Sequence, residues 1–206
     1  RGIFRLKRKI VFDSLAIGMS PFLMNLAACF IVIIINQGLK KYGGDLAIGA
    51  FGIVNRLVFI VVMIVMGLNQ GMQPIAGYNF GAKLYGRVNK VLKLTIIYAT
   101  AVTTFGFLVG MLVPDLVVGI FTSDAELTEL SVTGLRITVM FFPIIGFQMV
   151  TSNFFQSIGM AGKAIFLSLT RQMLILLPCL LILPQFFGVA GVWYSMPVSD
   201  LLASLI

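Results

Sequence analysis

Two charged side chains stand inside long apolar runs of this 206-residue chain. Arg56 lies about ten residues into the run at 47–69, and Asp200 about twelve residues into the run at 189–206, so at 1.5 Å per residue both reach the middle of a membrane. A charge at that depth is costly and marks a functional site by default. Two readings stay open: the charges pair with each other or with local polar groups, or Asp200 binds a proton or a cation.

Uncharged polar side chains recur at helical spacing in three apolar runs. Gln148, Ser152 and Gln156 follow one another at i, i+4 and i+8, which places them on one helix face. Single residues of this kind often serve as hydrogen-bonded contacts between helices. Three runs with such stripes favour a shared polar cavity instead. The residues predicted to line it are Asn25, Asn36, Asn55, Gln70, Gln73, Gln148 and Ser152.

The segment GLNQGMQPIAGYNFGA at 67–82 interrupts the apolar pattern. Pro74 is expected to end the helix here, and the glycines to allow turns, so the segment predicts a shaped loop at the membrane face. It lacks the G-x-x-x-x-G-K-[ST] and G-x-G-x-x-G patterns of nucleotide-binding loops. The residues expected to build this loop are Pro74, Gly77, Tyr78, Asn79, Gly81 and Arg87.

The elements that carry these residues are membrane helices. Hydrophobic residues make up 59% of the chain and charged residues 11%, which is too few charges to coat a soluble domain. A helix needs roughly 20 apolar residues to cross the hydrocarbon core. Six runs meet that length, and we predict an all-α bundle with spans at about 14–36, 47–69, 91–113, 132–156, 165–187 and 189–206.

Basic residues indicate how the bundle lies in the membrane. Eleven of the 15 Lys and Arg fall in segments on one side, including four at 83–93, whereas most acidic residues fall on the other. Since basic loops stay in the cytoplasm, we expect both ends of the chain there. The net charge of +8 then needs only membrane lipids as a partner, and no nucleic acid.

Enzymatic chemistry has little support. The chain has no His, its two cysteines are far apart in apolar runs, and no carboxylates are paired, so neither a catalytic site nor a metal site is predicted.

Two local signals concern where a helix starts and how helices pack. Ser123 with Glu126 is typical of a helix start, and Gly106 with Gly110 is typical of close helix contact.

A resemblance becomes visible across the motifs. Four stretches carry it: AIGAFGIVNRL, QGMQPIAGYNFGAKLYGRV, FFQSIGMAGKA and GVWYSMPVSDLL. Together they resemble the second half of multidrug and toxic compound extrusion (MATE) transporters, in particular their bacterial drug-efflux branch. The resemblance implies a twelve-helix transporter of the bacterial inner membrane with two pseudo-symmetric lobes. Residues 1–13 would be a cytoplasmic linker from an N-terminal lobe, and 14–206 the C-terminal lobe with its last helix cut short.

The resemblance also implies antiport, in which Na⁺ or H⁺ entry drives export of cationic or amphipathic drugs, without any other cofactor. Some members carry a Glu in the first helix of this lobe and an Asp in the fourth. The runs at 14–36 and 132–156 have no carboxylate, so the coupling residue is expected in the other lobe. Two alternatives remain: a flippase for lipid-linked glycans from a sister family, disfavoured by the single deep Arg56, and a membrane interaction module without transport.

Overall fold

The computed structural model describes residues 8–204, and within that range it contains helices and no strand. The continuous apolar runs explain this choice, because in lipid a helix satisfies its backbone hydrogen bonds within one segment. The predicted all-α membrane bundle is confirmed. The first seven residues of the expected linker lie outside the described part, and residues 8–13 begin the first helix.

Helix α1 (Arg8–Gly81) consists of two antiparallel arms. Its apolar part, Phe22–Gly81, has 60 residues, and a straight helix of that length would be about 90 Å long, three times the hydrocarbon thickness. Gly44, with φ of 66° and ψ of −159°, breaks the helix into a first arm (residues 8–43) and a second arm (residues 45–81). Ile35 and Val58 line the same cavity, although an unbroken helix would separate them by about 35 Å. The chain therefore reverses at Gly44, a backbone position that favours glycine.

The remaining helices complete the bundle. They are α2 (Tyr85–Leu112), α3 (Pro114–Gly119), α4 (Ala125–Val139), α5 (Phe142–Ser157), α6 (Ala161–Leu169), a π-helical segment (Thr170–Leu176), α7 (Leu177–Phe187) and α8 (Val189–Ala203). Tyr85–Leu112 and Gly162–Phe187 are each long and apolar enough to cross a membrane, and α4 with α5, bent by 55°, makes a further broken span. The helices follow the order of the six predicted spans, but α8, at 15 residues, is shorter than the roughly 20 residues that cross a membrane.

The bundle has an acidic end and a basic end. At the acidic end the Gly44 break meets the start of α8, where a Cβ on Gly43 would lie 2.6 Å from Val189 Cγ2. Asp45, Asp115, Asp124, Glu126 and Glu129 belong to this end by their positions in the helices. At the basic end the second arm meets the end of α5, since a Cβ on Gly77 would lie 2.9 Å from the carbonyl oxygen of Ser157. Lys83, Arg87, Lys90 and Lys93 follow there.

Close contacts hold α2 to its neighbours. A Cβ on Gly106 would lie 2.9 Å from Val61, and one on Gly110 would lie 3.0 Å from Val139. The predicted role of this glycine pair in helix packing is confirmed. The predicted start of α4 is wrong by one residue: the Oδ1 of Asp124, not Ser123, accepts a hydrogen bond from Leu127 N at 2.8 Å. Asp124 supplies the stronger cap because its carboxylate also complements the helix dipole.

The predicted loop at 67–82 is also wrong. The second arm stays helical through Pro74 to Gly81, and the turn that follows is confined to 82–84. Proline is tolerated in membrane helices because neighbouring groups can satisfy the carbonyl that its ring leaves free. The left-handed position of the turn is Lys83, at φ of 59°, and none of the glycines of the segment has a positive φ.

Candidate polar cavity and its ion pair

A cavity with a volume of about 450 Å³, larger than the two others described here, lies among α5, the π-helical segment and the end of α8. We call it the polar cavity. Amide, hydroxyl and guanidinium groups line much of it, which is unusual for the inside of a membrane bundle. The polar lining residues are Gln148, Thr151, Ser152, Asn153, Ser168, Arg171, Gln172 and Ser204.

The π-helical segment positions two of these side chains. The Leu177 N–H bonds the carbonyl of Gln172, five residues earlier, in place of the usual four. Pro178 follows directly, and a proline has no N–H and its ring clashes with the carbonyl four residues before it. The wider turn relieves that clash. It also changes the helical phase, so Arg171 and Gln172 face the interior of the bundle. Such π turns are frequent at functional sites.

Arg171 forms an ion pair inside the bundle. Its Nε lies 2.8 Å from Oδ1 of Asp200 on α8, and the Asp200 side chain is 6% exposed while that of Arg171 is 34% exposed. Removing one partner of a buried pair leaves an uncompensated charge, so the two residues depend on each other. Asp200 therefore pairs with Arg171, and not with Arg56, which is exposed on the second arm.

A second cavity of about 280 Å³ also borders this pair. We call it the apolar cavity, since its wall is built mainly from Ile, Val, Leu, Met and Phe side chains. Arg171 and Met149 line both cavities, whereas Asp200 lines the apolar one and not the polar one. The positive member of the pair is thus shared by both cavities, whereas the negative member belongs to the apolar cavity alone.

Two amide oxygens of the polar cavity have no partner. Oε1 of Gln148 and Oε1 of Gln172 are buried without a hydrogen bond. An unsatisfied buried acceptor costs about 1–3 kcal/mol, so most proteins avoid one unless it has a use. Both residues line the polar cavity, so their unpaired acceptors lie beside a space that a donor could occupy.

The other residues predicted to line a cavity lie elsewhere. Gln148 and Ser152 meet in the polar cavity, as expected from their spacing. Asn36 is half-buried on the first arm, and the remaining residues are exposed and outside the three cavities described. Their role in a cleft stays a prediction. These exposed residues are Asn25, Asn55, Gln70 and Gln73.

The residues of the predicted inner loop are helical or close to the turn at the basic end. Gly77 packs against the end of α5, and Asn79 is buried with its Nδ2 donating to the Ile75 carbonyl at 2.8 Å. Tyr78 is 77% exposed, which fits a side chain at a membrane surface. Pro74, Gly81 and Arg87 are also exposed. The segment is therefore the end of a helix and does not form a loop across the cavity.

Sequence reasoning missed Arg171, Gln172 and Ser168. The distribution of basic residues groups Arg171 with the inner surface, but it lies inside the apolar helix Gly162–Phe187. Arg171 and Gln172 stand together in an apolar run seven and six residues before Pro178. That combination of an intramembrane charge with a following proline was the available signal.

Comparison with known proteins decides the family. The family model described as MatE matches residues 18–181. This chain belongs to the MatE family. MatE relatives include "Multidrug export protein MepA" of Staphylococcus aureus (strain MSSA476), which is 28% identical over 198 residues, covering 96% of this chain and 43% of MepA. The chain thus spans less than half the length of the curated MatE relatives it matches.

Solved MatE structures share the fold. The structure of the MATE multidrug transporter DinF-BH, solved as a complex with a small molecule, matches with a TM-score of 0.85 and 36% identity, covering 98% of this chain and 45% of that one. An outward-facing MATE family transporter of the MOP superfamily matches with a TM-score of 0.88 at 21% identity, again over 98% of this chain and 46% of that one. The six-span bundle is therefore a MatE bundle, as the motifs predicted.

Proposed function

We propose that this chain is the C-terminal lobe of a secondary antiporter that exports cationic or amphipathic drugs in exchange for Na⁺ or H⁺. The observation that carries the proposal is a polar cavity with an ion pair inside a MatE membrane bundle. Transporters bind their cargo and ions near the bilayer midplane, where helices are interrupted and polar groups converge. The π-helical segment is an interruption of this kind.

The partner of this lobe is a second lobe of the same polypeptide. The chain covers 43% of MepA and 45% of the DinF-BH chain, which leaves room for a lobe of similar size. The basic end, with Lys83, Arg87, Lys90 and Lys93, would face the cytoplasm of a bacterial inner membrane and contact anionic lipid head groups. The polar cavity is nearer to this end, because α5 and α8 both finish there.

A drug is a better cargo than a lipid-linked glycan for this lobe. Arg171 is the one basic side chain among the residues lining the three described cavities, and Asp200 already compensates its charge. A pyrophosphate would find no uncompensated cation there. The drug-export names of the MepA relatives and the multidrug transporter DinF-BH also support a drug cargo.

Export by the full-length protein tests the proposal. In an efflux-deficient bacterium, ethidium efflux is expected to require either a Na⁺ gradient or a pH gradient, imposed one at a time. Ser152→Phe fills the polar cavity and is expected to reduce efflux by about tenfold, as when a substrate is sterically excluded from its site. Thr133→Phe, on the exposed side of α4, is the matched control and should export normally.

Two outcomes contradict the proposal. Absence of gradient-dependent export for every cation tested, with the protein present in the membrane, would favour a flippase. Equal efflux from the Ser152 and Thr133 variants would mean that the polar cavity is not on the cargo path.

A further inference from the structure

Asp200 presents a carboxylate to an apolar cavity. Phe142, Met149 and Met196 are among the residues around it, and Thr138 and Ser199 are the hydroxyls of the lining. A carboxylate in such low-dielectric surroundings attracts any cation that reaches it far more strongly than it would in water. The ring of Phe142 adds attraction for an organic cation, and the thioethers adapt to its shape.

Arg171 is the cation that now pairs with Asp200, and the 2.8 Å contact of its Nε with Oδ1 is an ion pair without a well-aligned hydrogen bond. Its side chain lines the polar cavity as well, and a third of its surface is accessible. The guanidinium carries five N–H donors on a flexible stem. Gln148 and Gln172, whose Oε1 atoms are buried and without partners, line the cavity that the guanidinium would enter on leaving Asp200.

We propose that Asp200 is a binding site for an organic cation in the apolar cavity, and that Arg171 is a tethered competitor that the cation displaces. The displaced guanidinium turns into the polar cavity and donates to Gln148 and Gln172. Displacement also opens the wall that Arg171 forms between the two cavities. This inference rests on the proposed export function and names the cargo class and the carboxylate that recognises it.

The lining favours an organic cation over a metal ion. Hard metal cations require several oxygen ligands at once. Asp200 is the one carboxylate lining the described cavities, and both hydroxyls beside it already donate to their own helices, Thr138 to Gly134 O at 2.8 Å and Ser199 to Met196 O at 2.7 Å. The remaining wall is mostly apolar. It matches the body of an amphipathic cation better than the shell of a hydrated ion.

Direct binding to the full-length protein in lipid nanodiscs tests the site. The probe is radiolabelled benzyltrimethylammonium, a one-ring cation whose charge does not titrate, and neopentylbenzene is its neutral isostere. Asp200→Asn is expected to weaken binding by about tenfold or more, whereas Arg171→Gln, which removes the competitor, is expected to strengthen it by about tenfold. A saturating amount of the probe should also raise the melting temperature of the Arg171 variant more than that of the wild type.

Matched controls separate this effect from a general loss of charge. Arg56→Gln and Asp115→Asn alter exposed residues outside the three cavities and should bind like the wild type. If Arg171→Gln does not fold, the double variant Arg171→Gln/Asp200→Asn replaces the ion pair by two amides. It is expected to fold and to bind as weakly as Asp200→Asn alone.

Several results would overturn the site. They are unchanged binding in Asp200→Asn or in the double variant, weaker binding in a folded Arg171→Gln protein, or equal competition by neopentylbenzene. Displacement of the probe by Na⁺ at the same concentration would indicate a metal site instead. Asp200-dependent binding without any export would leave this site standing and reject the transport proposal. If Asp200→Asn changes neither export nor binding, this site is rejected and the transport proposal stands.

Discussion

The second arm and the π-helical segment both place polar residues in a membrane, but they use them differently. The second arm carries four Asn and Gln side chains at 67–82, yet it is a regular helix whose Gln70 and Gln73 are exposed. The π-helical segment contains few polar residues, but its altered turn directs Arg171 and Gln172 into a cavity. Helical phase, and not the number of polar residues, therefore decides which region can bind a ligand.

The two regions also differ in how they use proline, since Pro74 lies within a continuous helix, whereas Pro178 follows a turn with a five-residue hydrogen bond. Glycine differs between the second arm and α8. Gly71 and Gly81 on the second arm face open space, whereas a Cβ on Gly191 of α8 would lie 2.7 Å from Pro184 Cα on α7. A larger residue therefore fits at those two positions of the second arm but not where α7 and α8 meet.

The largest expected effect concerns the charges of the two regions. Arg171→Gln leaves Asp200 buried and unpaired, which should lower the free energy of unfolding by about 3–5 kcal/mol. Arg56→Gln removes an exposed charge from the second arm and should change stability by less than about 0.5 kcal/mol. The measurement is thermal unfolding of the full-length protein in detergent without ligand. An equal loss of unfolding free energy in the two variants would contradict the distinction between the regions.

The next effect comes from backbone packing. Gly191→Ala places a methyl group against the backbone of Leu183 and Pro184, where no side chain can move aside, and should destabilise the protein by about 2–3 kcal/mol. Gly71→Ala adds a methyl group in open space and should stabilise its helix by about 0.5–1 kcal/mol. Opposite shifts in melting temperature would confirm the contrast, and a stable Gly191 variant would contradict it.

A smaller effect should separate stability from function. Gln148→Leu removes a buried acceptor that has no partner, so the resting protein should gain about 1–2 kcal/mol while export falls. Gln70→Leu, at an exposed position, should leave stability nearly unchanged. Unfolding and ethidium efflux are measured on the same preparations. Loss of stability in Gln148→Leu would show that its amide is satisfied in the resting protein.

The smallest effect tests the turn after the second arm. Lys83 has a φ of 59°, which is strained for a residue with a side chain, so Lys83→Gly should stabilise the protein by about 1 kcal/mol. Gly81→Lys, by contrast, falls on a helical position facing open space and should be tolerated. Destabilisation by Lys83→Gly would mean that the lysine side chain contributes more than its backbone strain costs.

Much of the fold could be predicted from the sequence. The six apolar runs anticipated the helices in order, and the spacing of Gly106 and Gly110 anticipated the contacts with Val61 and Val139. These features are local, because lipid forces each long apolar run to satisfy its own backbone hydrogen bonds. Helix ends were predicted less well: Pro74 did not stop the second arm, and the cap of α4 is Asp124 and not Ser123.

The site was predicted only in part. Gln148 and Ser152 share one helix face, so their meeting in the polar cavity followed from spacing alone. The partner of Asp200 could not be predicted from spacing. Arg56 and Arg171 both stand in apolar runs, and sequence spacing does not say which one faces α8.

The sequence by itself determined that this chain is a membrane bundle of the MatE family, since composition, run length and motif are properties of the chain in order. Only the tertiary structure decided that Arg171 pairs with Asp200 and that the pair borders both a polar cavity and an apolar one. The reason is geometric. A single wide turn before Pro178 changes the direction of the side chains in that turn, and the residue they meet lies on another helix.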